Sequence, residues 1–175
     1  MIGIDDTLMF QPLHLAVLTV SDTRTKLDDR SGVALANRAI NAGHSVTDRA
    51  IVKDDIAEIS AQVSLWAADP EIDVILTTGG TGLTGRDVTV EAVAPLFDKT
   101  LDGFSILFHR MSVEKIGLAT LQSRACAGLV SGTFVFCLPG STKAVGQAWD
   151  EIISGALDSR YRPSALVDLM PRLKE

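Results

Sequence analysis

The sequence predicts an α/β protein: a single three-layer α/β/α domain built on a mostly parallel sheet. Short runs without polar alternation, "HLAVLTV" at 14–20, "DVILTT" at 73–78 and "TFVFCLP" at 133–139, suit strands covered on both faces. Segments with apolar residues at helical spacing lie between them, and strand alternating with helix is the pattern of parallel βαβ units. Size completes the inference. A chain of 175 residues with no internal repeat, low-complexity tract or linker makes one domain, large enough to bury a core without disulfides or metals.

Each element has its own justification. Residues 14–20 form the first strand, and the polar stretch "SDTRTKLDDRSG" behind them is loop. Over 31–42, Val33, Leu35, Ala36, Ala39 and Ile40 recur at helical spacing, and Gly43 supplies the stop. A second strand covers 44–52. The helix over 56–68 sets Ile56, Ile59, Val63 and Trp66 on one face, with Pro70 beyond its end. After the third strand at 73–78, a helix starts near Asp87 and runs to about Leu96, where Pro95 ends or kinks it. Residues 104–115 read as helix, 133–139 as the fourth strand and 141–157 as a long helix. The expected division is an N-terminal extension (1–13), a domain (14–157) and a C-terminal tail (158–175) packing on the domain.

Composition narrows the function. The net charge of −6 and the absence of any Lys/Arg cluster argue against a nucleic-acid partner, which needs a basic patch. No window approaches the roughly 20 apolar residues of a membrane span, and the start carries an acidic pair where a secretory signal is basic. A cytoplasmic protein is expected. Cys126 and Cys137 fit neither a disulfide framework nor a zinc set, and are expected reduced and buried. His14, His44 and His109 are scattered and form no metal set. Trp66 and Trp149 lie at helical core spacing and pack inside or meet a subunit.

The run Gly79-Gly80-Thr81-Gly82 follows the third strand, where parallel sheets bind ligands. Glycine lets backbone approach a ligand closely, and successive N–H groups ahead of a helix suit phosphate. No Gly-Lys dipeptide exists, so this is not a P-loop. Gly80, Gly82 and Gly85 meet the dinucleotide pattern formally, but after the wrong strand, so a chance match is the better reading. A purely structural glycine turn stays open. Asp87 reads as a helix N-cap or as a carboxylate for magnesium beside phosphates. "LPGSTK" at 138–143 and "TVSD" at 19–22 bring small polar residues to two further strand ends. Three such ends converging suggest a site for a phosphorylated ligand.

"TTGGTG" followed by "RDVTVEA", with "LTVSD" upstream, "DRSG" at 29–32 and "LPGSTKA" downstream, resembles the MogA/MoaB family of molybdenum cofactor biosynthesis, whose fold recurs in the G domain of gephyrin. The match spans about 14–157, and "GFSILFHRMSVEKIGLATLQSRACAG" at 103–128 is most similar to the MoaB branch. The resemblance implies a molybdopterin adenylyltransferase: molybdopterin and Mg-ATP give adenylylated molybdopterin and pyrophosphate. Its alternative is a MoaB-branch protein that binds molybdopterin with little or no catalysis. Retention of Arg86 and Asp87 argues for activity.

Site residues follow from the same resemblance. Asp87 is assigned to Mg²⁺ and catalysis. Asp54 aligns with a second functional aspartate at the metal or nucleotide, with Asp55 as the alternative register. Thr78, Gly79, Gly80, Thr81 and Gly82 are expected to cradle phosphate, with Arg86 beside them. Ser21, Asp22, Pro139, Gly140 and Ser141 line the rest of the pocket, and Ser123 with Arg124 contacts an anion. The family also implies a homotrimer or hexamer and hand-over of product to a molybdate-insertion protein; the apolar residues of 104–118 and the tail are where the subunits are expected to meet.

Overall fold

The structure is a computed structural model that describes residues 2–173. Met1 of the expected extension and residues 174–175 of the expected tail lie outside that range. The chain opens with β1 (Gly3–Ile4), which pairs antiparallel with β8 (Tyr161–Arg162), so the two ends of the chain are tied together. The main sheet has six strands in the order β3-β2-β4-β7-β6-β5. β2 (His14–Val20), β3 (Ser45–Val52), β4 (Val74–Thr78) and β7 (Thr133–Leu138) run parallel, and β5 (Lys99–Thr100) and β6 (Cys126–Val130) form an antiparallel edge.

Alternating side chains divide the core between the two faces, as a pleated strand dictates. Leu15 and Val17 of β2, Val74 and Leu76 of β4, and Phe134 and Phe136 of β7 join one cluster. That cluster packs under α1 (Arg30–Asn41), α4 (Asp102–Ile116) and the last long helix. Ala16, Leu18, Ile75 and Val135 face the other cluster, under α2 (Ile56–Ala67) and the short α3 (Thr89–Val93). Every residue of β4 is buried, which is why "VILTT" shows no polar alternation.

Several expectations are corrected. α3 ends at Val93 and passes into a 3₁₀ turn, Ala94–Leu96, around Pro95. The expected helix 141–157 is α5 (Thr142–Ala148), a π-helical stretch (Trp149–Ile153) and α6 (Ser154–Leu157) in succession. Ile40 and Ile56, expected on buried faces, are exposed, whereas Ala39 and Ile59 are fully buried. β6 escaped the sequence reading altogether. Its signal is present: an apolar run, Ser131-Gly132, then β7, with φ of 51° and 86° at the two turn residues. Positive φ at both positions is the tight hairpin turn matched to strand twist. The hairpin sets Cys126 directly opposite Cys137; both are free, and Cys126 is only partly buried. Trp66 and Trp149 are both core residues.

Candidate active site

The four parallel strands deliver their carboxyl ends to one rim. Ser21 N–H donates to the Val52 carbonyl at 2.9 Å, and Gly79 N–H donates to Leu138 O at 3.1 Å, so adjacent strand ends are stitched together as the chain leaves the sheet. Two glycines then make the crowding possible. A Cβ on Gly79 (φ 102°) would lie 2.2 Å from Val20 O, and one on Gly80 (φ 63°) would lie 2.4 Å from Thr89 Oγ1. Both positions therefore demand glycine for the fold itself, whatever the ligand. Gly140 closes in from β7: a Cβ there would meet Gly79 Cα at 3.2 Å.

Two carboxylates flank this run. An added Cβ on Gly80 would meet Asp54 Oδ1 at 3.0 Å, and one on Gly82 would meet Asp87 Oδ2 at 2.7 Å. Asp55, the alternative register, instead caps α2, accepting from Ala57 N–H at 2.9 Å and Glu58 N–H at 3.0 Å. Asp87 is not a helix cap. It accepts from the Thr84 N–H at 3.0 Å and from the Thr84 hydroxyl, and α3 begins only at Thr89. These Thr84 bonds hold the Asp87 carboxyl below its ordinary range. Asp54 moves the other way, pushed up by burial and then by the neighbouring Asp22.

Asp22 links the halves of the rim. Its N–H donates to Asp54 Oδ2 at 2.9 Å, and its carboxylate takes Arg86 in a fork, with Nε at 2.9 Å and Nη2 at 2.7 Å. The Arg86 guanidinium holds the Asp22 acid low. Among the described residues, Gly80 and Thr81 N–H have no protein acceptor.

The expected residues fall into distinct places. Ser21, Asp22, Asp54, Gly79, Gly80, Gly82, Arg86, Asp87 and the Pro139–Ser141 turn share the rim. Thr78 lies beneath it, fully buried, with its hydroxyl donating to Pro139 O at 3.0 Å. Thr81 is also buried, at 3% exposure, with its carbonyl accepting from Arg124 N–H at 3.1 Å. Ser123 turns its N–H back to Thr120 O, and its side chain makes no hydrogen bond among the described residues. Arg124, expected to contact an anion, is instead engaged with protein: it donates to Gly82 O and Asp87 O, both at 2.8 Å, and pairs with Glu91. Among the described residues no group of three or more His, Cys, Asp or Glu is placed to hold a metal alone.

The chain resembles known proteins in both sequence and fold. The profile of the family described as a probable molybdopterin binding domain matches residues 16–159. The chain is also 49% identical over 166 residues to molybdenum cofactor biosynthesis protein B of Escherichia coli strain K12, which covers 95% of this chain and 96% of that protein. This chain belongs to the MogA/MoaB family, in its MoaB branch. A crystal structure of a molybdenum cofactor biosynthesis protein B superposes with a TM-score of 0.84 at 38% identity, over 93% of this chain and 96% of that one. The tungsten cofactor synthesizing protein MoaB of Pyrococcus furiosus does so at 0.75 and 33%, over 94% and 99%. The family's pathway is molybdenum cofactor biosynthesis.

In this MoaB-branch chain, sequence reasoning missed the structural roles of three residues. Arg124 shapes the glycine loop from behind. Asp29, only 3% exposed, ties the loop after β2 to the sheet by accepting from Gly32 N–H, Thr19 Oγ1 and Arg49 Nη2. Thr89 holds the loop from its other end, donating its hydroxyl to Gly79 O at 2.8 Å. "DRSG" was the visible signal for Asp29; no short-range pattern marks Arg124 or Thr89.

Proposed function

We propose that this MoaB-branch protein adenylylates molybdopterin: an oxygen of the pterin's terminal phosphate bonds to the α-phosphorus of ATP, and pyrophosphate leaves with the α–β bridging oxygen. The observation that carries this reading is the pair Asp54 and Asp87 on either side of a glycine run with free backbone donors. Donor chemistry fits Mg²⁺, which is held by one or two carboxylates together with substrate phosphates. Bound there, the metal would supply charge neutralisation between two anionic reactants.

The chain's own residues do the rest. Gly80 and Thr81 N–H orient a phosphate, and their fixed dipoles stabilise charge where it develops. Asp87, kept ionised by Thr84, stands ready as a ligand without first losing a proton. No side-chain nucleophile is required, because the pterin phosphate attacks directly. The assembly is proposed as a homotrimer or hexamer, and the product as passing to a molybdate-insertion protein.

The test is anaerobic incubation of the protein with molybdopterin, ATP and Mg²⁺, followed by chromatography for adenylylated molybdopterin, with Asp87→Asn alongside. Product from the wild type and none from the variant is expected. Equal turnover by Asp87→Asn removes that carboxylate from the mechanism. Pterin retained without product supports a second reading, a molybdopterin-binding protein without turnover. The closed Asp22–Arg86 fork, which engages the Arg86 guanidinium within the protein, favours that second reading.

A further inference from the structure

Beyond the glycine run, the outer edge of the site opens into a cavity of about 400 Å³ between the loop after β2 and the end of β3, within the size range of small-ligand clefts. Ser21 and Asp22 form its inner wall, shared with the rim. Arg24, Lys26 and Lys53 line the rest, with Glu58 among them. The chain is acidic, at −6, so three cations converging on one cleft are unlike its general surface.

The cations there are weakly committed. Arg24 stands 3.6 Å from Asp28, with both side chains about half-exposed, a pairing worth little in water. Lys26 and Lys53 have no ion-pair partner among the described residues. Carboxylates also face the cleft or border it, Asp54 among them, holding the Asp22 N–H at 2.9 Å. Asp28 is matched to Arg24, Glu58 accepts the Lys53 N–H at 3.3 Å, and Asp22 is occupied by Arg86. The loop is shaped by Ser21 Oγ, which accepts from Thr23 N–H and Arg24 N–H, both at 3.2 Å. That turn brings Arg24 back toward the end of β3.

Adenylyl transfer breaks the α–β bond of ATP, so two phosphates must lie beyond the reacting centre and then leave. The inner rim is poor in cations to hold them: Asp22, Asp54 and Asp87 are acidic and Arg86 is paired. We propose that Arg24, Lys26 and Lys53 form a subsite for the polyphosphate end of the nucleotide, holding the β- and γ-phosphates before transfer and pyrophosphate after it. This assignment rests on the adenylyl-transfer reading. It divides the site by charge: a carboxylate rim where the bond changes, and a cationic outer cleft where the leaving group sits.

Calorimetric titration of the full chain in Mg²⁺ buffer with ATP, pyrophosphate and AMP tests it, comparing wild type with Lys26→Gln/Lys53→Gln. Lys99→Gln, on β5 at the opposite edge of the sheet, controls for loss of a positive charge far from the cleft. The double variant is expected to bind ATP and pyrophosphate at least about tenfold more weakly, the scale of losing one charge-assisted contact. AMP and molybdopterin affinity and melting temperature should stay as in wild type, and Lys99→Gln should change nothing. Unaltered ATP and pyrophosphate affinity in the double variant overturns the subsite. So does an equal loss for AMP, because the effect would not follow the outer phosphates. Wild type that binds molybdopterin but neither ATP nor AMP defeats the adenylyl-transfer reading itself, a failure visible before any lysine is changed.

Discussion

Burial and the Asp22 carboxylate raise the Asp54 acid above its ordinary range, which has consequences of opposite sign for stability and for binding. A carboxyl with a raised folded-state pKa favours the fold while protonated, and that contribution is lost as pH rises through the raised value. Ionised Asp54 therefore opposes folding at neutral pH. Asp54→Asn is expected to raise the melting temperature modestly there, with the gain disappearing as pH falls below the ordinary aspartate range. The same variant should lose Mg-dependent ATP binding, and wild-type binding should weaken on acidification at a higher pH than an ordinary carboxylate would cause. A lower melting temperature for Asp54→Asn at pH 7 contradicts the sign. Gly80→Val separates fold from ligand less cleanly, because the added side chain strikes Thr89 and Asp54 inside the protein. It should cost about 2 kcal/mol or more in denaturant unfolding and abolish ligand binding together. Full stability in that variant would mean that the loop can take another path.

Between β4 and α3 the chain has little secondary structure of its own to hold its shape. Arg124, arriving just before β6, supplies that order with a planar fork aimed at the carbonyls of Gly82 and Asp87. Turning those carbonyls toward Arg124 helps fix the peptide planes of the loop. Arg124→Ala should lower kcat/KM by roughly 10- to 100-fold through misplaced donors, with faster amide exchange confined to 82–88. Arg124→Lys should not restore activity, because an ammonium lacks the rigid fork. Restoration by lysine would reduce Arg124 to a simple charge. The location of Arg124 also explains why its role was hard to read. β6 lies in the stretch between the helix expected over 104–115 and the strand expected at 133–139, to which the sequence assigns no element, and without that strand nothing places residue 124 behind residue 82.

Several exposed apolar residues lie along α4 and the turn after it: Ile106, Leu107, Ile116, Leu118 and Leu121 are each at least half-exposed. In the proposed homo-oligomer these residues are where the subunits would meet. Under the proposed assembly, light scattering should give a mass near three or six times the 18.7 kDa chain, and Leu118→Asp should lower it. A monomeric wild type at micromolar concentration would leave the patch without its expected partner. Among the described residues no helix is long and apolar enough to cross a membrane.

The amino-acid pattern alone determined the layers of this protein, the strand ends that meet and the family, because periodicity, glycine placement and motif order are local properties. Asp54 and Asp87 each lie within a recognisable stretch, and the structure sets both beside the glycine run. Tertiary structure decided which neighbour does what. Asp55 is taken by the end of α2, Thr78 is buried under Pro139, and Arg86 closes on Asp22, 64 residues away in the chain. The cationic cleft belongs to the same class: Arg24 and Lys26 come from one loop and Lys53 from the next strand's end. Parallel pairing of β2 with β3 is what sets them around one cavity, and no spacing within either segment encodes that.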